Sequence, residues 1–469
     1  MMSEQIPVRD VTPAKGENVD LYAKREKIYT RAFTGVFRNI RRFGGAFLFI
    51  LFFGTVWLNW DGRQAVWWDL PERKFHVFGA TFWPQDFMLL SWLLIICAFG
   101  LFFITVFAGR VWCGYTCPQS VFTWVYMWAE KVTEGDRNQR MKLDKAPMSA
   151  NKLLRKVAKH AIWVAVAVLV AITFVGYFTP IRQLVPDLLS LNVDGWAAFW
   201  IGFFTLATYG SAGFLREQVC IYMCPYARFQ SVMFDKDTLI VSYDANRGEK
   251  RGPRKKGADY QAQGLGDCID CTVCVQVCPT GIDIRNGLQI ECISCAACID
   301  ACDSIMDKMG YPRGLISYTT EHNLSGQKTH LLRPRLVGYA VALLVMMGLF
   351  SWALTARPLV QIDVLKDRVL YRENEEGNIE NVYTLKIMNK AQVDKSFVIE
   401  VDGLPGLAFE GRQQVQVAAG EVLSIPAELS IEPEKLPSST NNIVFRVKAT
   451  DDQTIHNEAE SRFIGPTIR

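Results

Sequence analysis

The sequence predicts a membrane α-helical protein with five transmembrane helices, an inserted two-cluster ferredoxin-like domain and a C-terminal immunoglobulin-like β-sandwich. Three observations predict this fold class: five apolar stretches, eight cysteines in two closely spaced runs, and a cysteine-free C-terminal part in which polar and apolar residues alternate. The composition agrees, because 50% of the residues are hydrophobic and 12% are aromatic, which is more than in an average soluble protein. The net charge of +4 argues against a nucleic-acid partner.

Each apolar stretch approaches the ~20 residues that are needed to cross the hydrocarbon core of a bilayer. Tryptophans such as Trp57, Trp112 and Trp352 lie near the ends of these stretches, as is typical of membrane interfaces. The residues before the first stretch are polar and basic, and no signal-peptide cleavage site follows them. The five predicted spans are 43–60, 87–108, 160–178, 196–215 and 336–355.

The loops predict the orientation, because Lys and Arg accumulate on the cytoplasmic side of a membrane. The connection between the second and third stretches carries ten Lys and Arg residues, whereas the connection 179–195 carries only Arg182. We therefore expect a multi-pass protein of the bacterial inner membrane. Its predicted parts are a cytoplasmic tail 1–42, a four-helix membrane domain 43–245, a cytoplasmic ferredoxin-like domain 246–335, a fifth transmembrane helix 336–355 and a periplasmic immunoglobulin-like domain 356–469.

Two cysteine runs in the insert both read C-x-x-C-x-x-C-x-x-x-C, the pattern of bacterial ferredoxins with two [4Fe–4S] clusters. In that pattern the fourth cysteine of each run ligates the cluster of the other run. The pattern predicts one cluster at Cys268, Cys271, Cys274 and Cys302 and another at Cys292, Cys295, Cys298 and Cys278. Zinc is the alternative, since C-x-x-C pairs also bind zinc, but zinc has no use for a third evenly spaced cysteine. Disulfides are disfavoured, because thiols this close in sequence bridge poorly.

A second cysteine motif, C-x-Y-x-C-P, occurs at 113–118 and again at 220–225. Each copy follows an even-numbered span, which indicates an internal repeat of two helix pairs. Cysteines four residues apart share one face of an α-helix, and the proline ends that helix or starts the next one. Four thiolates could hold a third iron–sulfur cluster or bind a soft cation such as Cu(I), and ordinary helix packing is the alternative. The repeat predicts that four thiols converge at the membrane surface: Cys113, Cys117, Cys220 and Cys224.

Other segments carry less chemistry. Of the five histidines only His160 lies at the edge of a span, so a haem with two axial histidines is disfavoured. The basic segment 246–256, which contains glycines, is predicted to be a solvated tether. After residue 356, short alternating runs separated by turns such as Asp402-Gly403 predict the sandwich, and they contain no catalytic constellation.

This arrangement resembles the CcoG/RdxA/FixG family of iron–sulfur accessory proteins, which are required to assemble the cbb-type cytochrome oxidase. The resemblance covers nearly the whole chain. It depends on the paired C-x-x-x-C-P motifs, the Cys-Pro-Thr-Gly-Ile-Asp-Ile-Arg-Asn-Gly block at 278–287, the Tyr-Pro-Arg-Gly sequence at 311–314 and the sandwich. One departure from the general ferredoxin pattern is Asp303, which follows Cys302 where proline is usual.

The resemblance implies an oxidoreductase that reduces Cu(II) to Cu(I) for the oxidase, with copper as its substrate. It implies that the eight ferredoxin cysteines are cluster ligands. Cys113, Cys117, Cys220 and Cys224 are then the catalytic, copper-handling residues or the ligands of a third cluster. The implied partners are the lipid bilayer, a cytosolic electron donor of unknown identity, and oxidase assembly factors or copper chaperones.

Two other functions remain open at this point. The protein could be a general electron conduit between a cytosolic donor and quinone or a periplasmic reductase. It could also be a non-redox assembly scaffold whose sandwich binds the oxidase or a copper chaperone. The sequence leaves the electron donor, the oligomeric state (a homo-oligomer included) and the side of copper reduction undetermined.

Overall fold

The membrane part of the computed structural model is built from helices that connect two opposite ends of the molecule. The structure describes residues 27–466, so most of the predicted tail, residues 1–26, and the last three residues lie outside it. A π-helix at Tyr209–Leu215 continues the eighth α-helix, and a second π-helix follows at Val219–Met223. The α-helices in chain order are α1 Val36–Thr55, α2 Phe87–Ala108, α3 Val111–Tyr115, α4 Pro118–Glu134, α5 Arg137–Lys145, α6 Ala150–Val175, α7 Ile181–Leu189, α8 Gly195–Thr208 and α9 Pro225–Met233.

Four helical segments of the described chain are long and apolar enough to cross a membrane: Pro84–Ala108, Ala150–Val175, Gly195–Leu215 and Pro334–Thr355. Helix α1 is not among them, because Arg38, Arg41 and Arg42 fill its first turns and its apolar part begins only at Phe43. The first span also ends earlier than predicted. The chain leaves the helix after Thr55 and forms a strand at Asn59–Trp60, where Asn59 and the Asp61-Gly62 turn interrupt the apolar run.

Helix α1 nevertheless reaches both ends of the helix bundle. At its start, the backbone N–H of Phe37 donates to the carboxylate of Asp300 in the ferredoxin-like insert, with a distance of 3.1 Å. At its end, the hydroxyl groups of Thr55 and Tyr177 are 2.6 Å apart, and Tyr177 follows α6 on the opposite side of the bundle. Helix α1 therefore runs from the end near the insert to the opposite end of the bundle, although its first turns are polar.

A small β-structure covers the end of the bundle that is distant from the insert. Its strands are β1 Asn59–Trp60, β2 Arg63–Gln64, β3 Val66–Asp69, β4 Lys74–Val77 and β5 Ala80–Phe82. Strands β1 and β2 form a hairpin, and β3, β4 and β5 form an antiparallel meander. The amide of Gln64 donates to the carbonyl of Gly176 at 2.8 Å, which joins this structure to the end of α6.

The ferredoxin-like insert is built on a two-stranded antiparallel sheet. Its elements are β6 Ile240–Tyr243, β7 Ile316–Thr319, α10 Ala245–Gly248, α11 Val273–Val277, α12 Ala297–Met309 and α13 Glu321–Leu324. Strand β6 pairs with β7 from Ile240 opposite Thr319 to Tyr243 opposite Ile316. The insert therefore begins before the predicted boundary at 246, because β6 supplies half of its sheet.

Helix α14, Pro334–Thr355, leads to a sandwich of two antiparallel sheets. The strands are β8 Val360–Lys366, β9 Arg372–Glu373, β10 Ile379–Asn389, β11 Lys395–Asp402, β12 Ala408–Glu410, β13 Gln414–Val417, β14 Val422–Ile431, β15 Thr440–Ala449 and β16 His456–Ile464. One sheet has the order β12-β14-β10-β8, with β9 on β10, and the other has the order β13-β11-β15-β16. Fully buried side chains such as Tyr383, Phe397, Phe445 and Phe463 fill the space between the sheets. Their alternation with polar residues is the period of a half-buried strand.

A buried cluster of ion pairs attaches the sandwich to the start of the second span. Asp86 lies 2.7 Å from Arg357 Nη2 and 2.9 Å from Lys390 Nζ, and the Lys390 side chain is only 2% exposed. The guanidinium of Arg357 also donates to the carbonyl of Thr81 at 2.6 Å. These contacts fix the sandwich against the loop that precedes α2.

We expect the substitution Asp86→Asn to loosen this attachment by about 1–3 kcal/mol, because it leaves a buried ammonium group without its counter-charge. Limited proteolysis between residues 356 and 359 should become faster than in the parent. The control Asp363→Asn removes the charge of a carboxylate that accepts hydrogen bonds from Gln85 and Gln361 but binds no buried cation, and it should cleave at the parent rate. Equal cleavage rates for Asp86→Asn and the parent would contradict this role of the ion-pair cluster.

Candidate functional site

The two ferredoxin-type loops have the same unusual backbone. Asp270 and Thr272 in the first run, and Ser294 and Ala296 in the second, have positive φ angles of 52°, 55°, 50° and 57°. Left-handed backbone costs a non-glycine residue about 1–3 kcal/mol, and such residues concentrate at functional sites. Each loop therefore stores strain that is consistent with wrapping around a bound group.

Two small cavities lie inside these loops, and cysteines line both of them. One is lined by Cys268, Cys271, Cys274 and Cys302, together with Tyr243 of β6. The other is lined by Cys278, Cys292, Cys295 and Cys298, together with Val241 of β6 and Cys274. Each cavity thus contains the first three cysteines of one run and the fourth cysteine of the other run, and strand β6 passes along both.

These thiols are chemically suited to a metal group and poorly suited to remain free thiolates. Burial raises the pKa of the Cys274 thiol to about 11 and the pKa of the Cys292 and Cys302 thiols to about 12. Without a metal the thiols therefore stay protonated at neutral pH, and metal binding would release those protons. The strained loops, the four thiols around each cavity and their burial all fit [4Fe–4S] clusters.

The two C-x-Y-x-C-P motifs are placed differently from the prediction that each pair shares one helical face. Helix α3 contains Cys113 but ends at Tyr115, and Cys117 is the N-cap of α4, with Pro118 as its first residue. In the second copy Cys220 lies in a π-helix, and Cys224 is the N-cap of α9. The face prediction is wrong because the proline starts a new helix immediately after the second cysteine.

All four motif thiols lie close enough to influence one another electrostatically. Burial raises the pKa of the Cys220 thiol to about 12, and the nearby Cys117, Cys113 and Cys224 add to this effect. Within residues 27–466, no three of these cysteine sulfurs all lie within 4.8 Å of one another. The same is true of the sulfurs of the ferredoxin cysteines. The four thiols converge, with a spacing wider than a single metal ion would use.

The first motif packs directly against the ligand loop of the insert. A Cβ atom on Gly114 would lie 2.8 Å from the carbonyl oxygen of Ile293 and 2.9 Å from Cys295 Cα, so only glycine fits this contact. Cys113 and Cys295 share one apolar cluster. The Tyr318 hydroxyl of β7 lies 3.3 Å from the Tyr115 hydroxyl. The membrane motif and the second cysteine cavity therefore meet without an intervening layer.

Arg110 is a buried cation at this junction. Its side chain donates to Gln230 at 3.1 Å and to the carbonyl of Ile290. Cys113 Sγ lies 3.3 Å from the same Gln230 oxygen. Burial raises the pKa of the Cys113 thiol, and the Arg110 guanidinium beside it opposes this effect. A positive charge in this position fits thiolates or an anionic metal group beside Cys113.

The sequence did not single out Gly114, Arg110 or Gln230. One available signal was an arginine before each motif, three residues before Cys113 and four before Cys220. In the second copy Arg216 pairs with Glu130 instead. Gln230 carries no local signal, because its importance depends on a contact between the two repeats.

Comparisons with known proteins agree with this geometry. A family model described as "4Fe-4S dicluster domain" matches residues 215–321, and one described as "4Fe-4S binding domain" matches residues 90–132. A model described as the IG-like fold at the C-terminus of FixG matches residues 350–466. The nitrogen fixation protein FixG of Rhizobium meliloti is 37% identical over 455 residues, covering 89% of this chain and 86% of that protein. The chain belongs to the FixG/RdxA family.

Two further relatives extend the comparison across this family. Protein RdxA of Cereibacter sphaeroides is 39% identical, covering 87% of both chains, and protein RdxB of the same organism is 37% identical, covering 89% of this chain and 90% of that one. A crystal structure of a FixG-related protein from Vibrio parahaemolyticus is 35% identical, with a TM-score of 0.21, and covers 23% of this chain and 95% of that chain. As a FixG/RdxA protein, the chain is a membrane iron–sulfur protein with a redox role and an immunoglobulin-like C-terminal domain.

Proposed function

We propose that this protein is a membrane-bound cupric reductase that delivers single electrons to Cu(II) and supplies Cu(I) for assembly of the cbb-type cytochrome oxidase. The observation that carries the proposal is the junction at Gly114, where a cysteine motif of the membrane part touches the ligand loop around Cys295. The junction joins an electron source to thiols that favour the reduced metal, because soft thiolates prefer Cu(I).

In this proposal each ferredoxin cavity holds one [4Fe–4S] cluster. When bound, such clusters supply electrons one at a time, which matches the single electron that converts Cu(II) to Cu(I). The fold places the two cavities in sequence on the proposed electron-transfer path. The cavity with Cys295 contacts the membrane motif, and the cavity with Cys268 lies farther along β6. Arg110 would stabilise negative charge at the motif thiols. The proposed cluster ligands are Cys268, Cys271, Cys274 and Cys302, and Cys278, Cys292, Cys295 and Cys298.

We also propose that α1 is a fifth transmembrane helix, with the ferredoxin-like end in the cytoplasm and the sandwich in the periplasm of the inner membrane. Support comes from the basic residues of α5 and of the first turns of α1 and α6, which all lie at the ferredoxin-like end. Positive loops are retained on the cytoplasmic side. Long arginine side chains can reach the polar interface while the rest of α1 remains in the lipid.

The test follows reoxidation of the reduced protein by Cu(II). Anaerobically purified protein is reduced, freed of excess reductant and mixed with Cu(II), and the loss of the reduced-cluster EPR signal is timed. In a variant with Cys113, Cys117, Cys220 and Cys224 all replaced by serine, we expect the signal to persist after the parent has lost it. Cys97→Ser is the matched control, because Cys97 is an exposed thiol in α2. Reoxidation of the four-serine variant at the parent rate would refute the assignment.

The iron content tests a related point about the four motif thiols. A third cluster at these thiols is the alternative to direct copper binding, because their spacing is wide for a single ion and a "4Fe-4S binding domain" model matches residues 90–132, which include Cys113 and Cys117. About eight irons per chain correspond to two clusters, and about twelve correspond to three. A value near twelve in the parent and near eight in the four-serine variant would assign these thiols to a cluster, and copper would then meet the protein elsewhere.

A second candidate function is electron transfer to quinone, and one cavity favours it. This cavity has a volume of about 620 Å³ and lies between α1 and α4, with apolar walls such as Phe49 and Trp128 and basic groups such as Arg41 and Lys131. Arg41 stacks 3.9 Å from the Trp124 ring and donates to the carbonyl of Cys295 at 2.8 Å. Quinone-dependent reoxidation that survives a copper chelator would favour the conduit over the cupric reductase.

A further inference from the structure

A group of potential metal ligands lies outside the cysteine sites. Asp237, His322 and His330 place one carboxylate oxygen and two ring nitrogens within 4.8 Å of one another. They come from three separate segments: the loop before β6, helix α13, and the chain that leads to α14. The fold therefore brings them together at the ferredoxin-like end, close to the start of the last span.

The contacts hold these groups in position but leave them incompletely used. His322 Nδ1–H donates to Asp237 Oδ1 at 2.7 Å, and the backbone N–H of His330 donates to the same oxygen at 2.9 Å. The His330 ring nitrogen Nδ1 lies 3.9 Å from that oxygen, beyond hydrogen-bond distance, and its side chain is 70% exposed. The His322 ring is thus fixed by its hydrogen bond to Asp237. His330 is held by its backbone, and its ring lies near the same carboxylate without a hydrogen bond to it.

The surrounding charges leave the Asp237 carboxylate available. The neighbouring acids are already paired, since Asp235 binds Arg333 and Glu321 lies 3.6 Å from Lys236. No Lys or Arg of the described chain forms a salt bridge with Asp237, whose ionic contacts are with the two histidines. Two imidazoles and a carboxylate that pairs with no Lys or Arg of the described chain form a donor set that suits a cation.

Two imidazoles and a carboxylate suit divalent transition metals, and their affinities follow the order in which Cu(II) binds most tightly. Three protein ligands at an exposed site leave further coordination positions for water or an incoming group, which is characteristic of sites that exchange their ligands. We propose that Asp237, His322 and His330 form an exchangeable site for a divalent transition-metal ion, with Cu(II) as the preferred ion.

The position of the site relates it to electron transfer. Asp237 is four residues from Val241, so their Cα atoms are at most ~14 Å apart, and Val241 lines the cavity of Cys278, Cys292, Cys295 and Cys298. Nitrogen and oxygen donors suit Cu(II), whereas thiolates suit Cu(I). If the proposed reductase function is correct, the nitrogen and oxygen ligands bind the substrate Cu(II), and the thiolates bind the product Cu(I). One electron from the reduced cluster proposed for that cavity would then convert Cu(II) to Cu(I), the cluster being oxidised by one electron, and Cu(I) would leave this site for softer ligands. Binding of the ion does not depend on that function.

The binding test uses the full-length protein with serine at the four motif cysteines, so that those thiols neither capture nor reduce copper. With the clusters oxidised, one equivalent of Cu(II) is added, and we expect an EPR signal with hyperfine coupling to two nitrogens. His322→Gln combined with His330→Gln should abolish this signal, while iron and sulfide contents stay at the parent level. His456→Gln, a histidine in the sandwich strand β16, is the matched control and should retain the signal. An unchanged signal in the double variant would overturn the site.

A second measurement separates this site from the reductase proposal. In chains with intact cysteines, the double histidine variant should show a raised KM for Cu(II) with little change in kcat. If the reductase proposal fails, neither chain reduces Cu(II), yet the nitrogen-coupled signal still appears in the binding test. If the site fails and the reductase holds, KM is the same in both chains and the signal is absent.

Discussion

Replacing Gly114 with alanine is expected to slow the reoxidation of the reduced clusters by Cu(II) several-fold, because the rate of electron transfer falls steeply as the donor and the acceptor separate. The added Cβ would lie 2.8 Å from Ile293 O, 2.9 Å from Cys295 Cα and 3.0 Å from Cys295 N. All three are backbone atoms of a strained loop, so they cannot rotate away as a side chain would. The helix with Cys113 must separate from the loop instead.

Iron and sulfide contents should stay at the parent level in Gly114→Ala, since the substitution replaces no proposed cluster ligand and the contact with the Cys295 backbone is relieved by separation of the helix from the loop. Gly100→Ala is the control: Gly100 lies in α2, and a Cβ there would meet nothing within 4 Å. That variant should react at the parent rate. If Gly114→Ala also reacted at the parent rate with its iron intact, electrons would reach copper by a path that avoids this junction.

The largest expected loss of stability follows from Glu130→Gln. Glu130 lies on α4 and is 1% exposed. Its two carboxylate oxygens bind Arg140 and Arg216, each at 2.5 Å. Burial alone would raise the pKa of Glu130, but Arg216 and Arg140 outweigh it and hold the pKa below the usual value. The carboxylate is therefore ionised at neutral pH, and the stabilisation it provides is lost only as the pH falls through its lowered pKa.

Glutamine in this position leaves two buried guanidinium groups without a counter-charge, which costs about 3–5 kcal/mol. Because Arg216 belongs to the second repeat and α4 follows the first motif, the loss should also separate the two pairs of motif thiols. Thermal unfolding in detergent measures the effect. Glu458→Gln breaks an exposed pair with Arg446 and should leave the unfolding temperature near the parent value, because exposed ion pairs contribute little to stability. Equal unfolding temperatures for Glu130→Gln and the parent would contradict this role for the pair.

The hydrophobic pattern predicted the membrane helices and the sandwich, because burial against lipid or a second sheet imposes its period directly on the residues. It was less successful for α1, where Arg38, Arg41 and Arg42 belong to the same helix as the apolar part. The hydrophobic pattern indicates only which residues are shielded from water. The helix itself also includes the neighbouring polar residues, because their backbone groups continue the same series of hydrogen bonds. The start of α6 at Ala150 instead of 160 has the same cause.

The repeat predicted four converging thiols, but it could not predict their asymmetry. The Tyr115 side chain contacts Tyr318 of the insert, whereas its counterpart Tyr222 is 69% exposed. The first copy is α-helical and the second is π-helical. Both differences follow from the insert packing on one copy only, and the residues of the motifs themselves do not indicate which copy that is.

The segment 246–256 shows how composition can mislead. It was predicted to be a solvated tether, but Arg247 pairs with Asp267 at 2.5 Å, and the Arg254 guanidinium lies 4.3 Å from the Tyr260 ring. A Cβ on Gly266 would lie 2.4 Å from the backbone of Gly248, so the glycines permit close packing and do not provide flexibility. The basic residues of this segment suggested exposure to solvent. Their acidic and aromatic partners lie outside the segment, so its own composition did not reveal these contacts.

The left-handed residues of the two cysteine loops bear on how the protein matures. Ser294 and Ala296 flank Cys295 in a conformation that an empty loop has little reason to keep, and Cys295 is also part of the surface that receives Gly114. Filling this cavity would hold the loop in the shape that receives Gly114, so iron insertion is expected to favour attachment of the insert to the membrane helices during maturation.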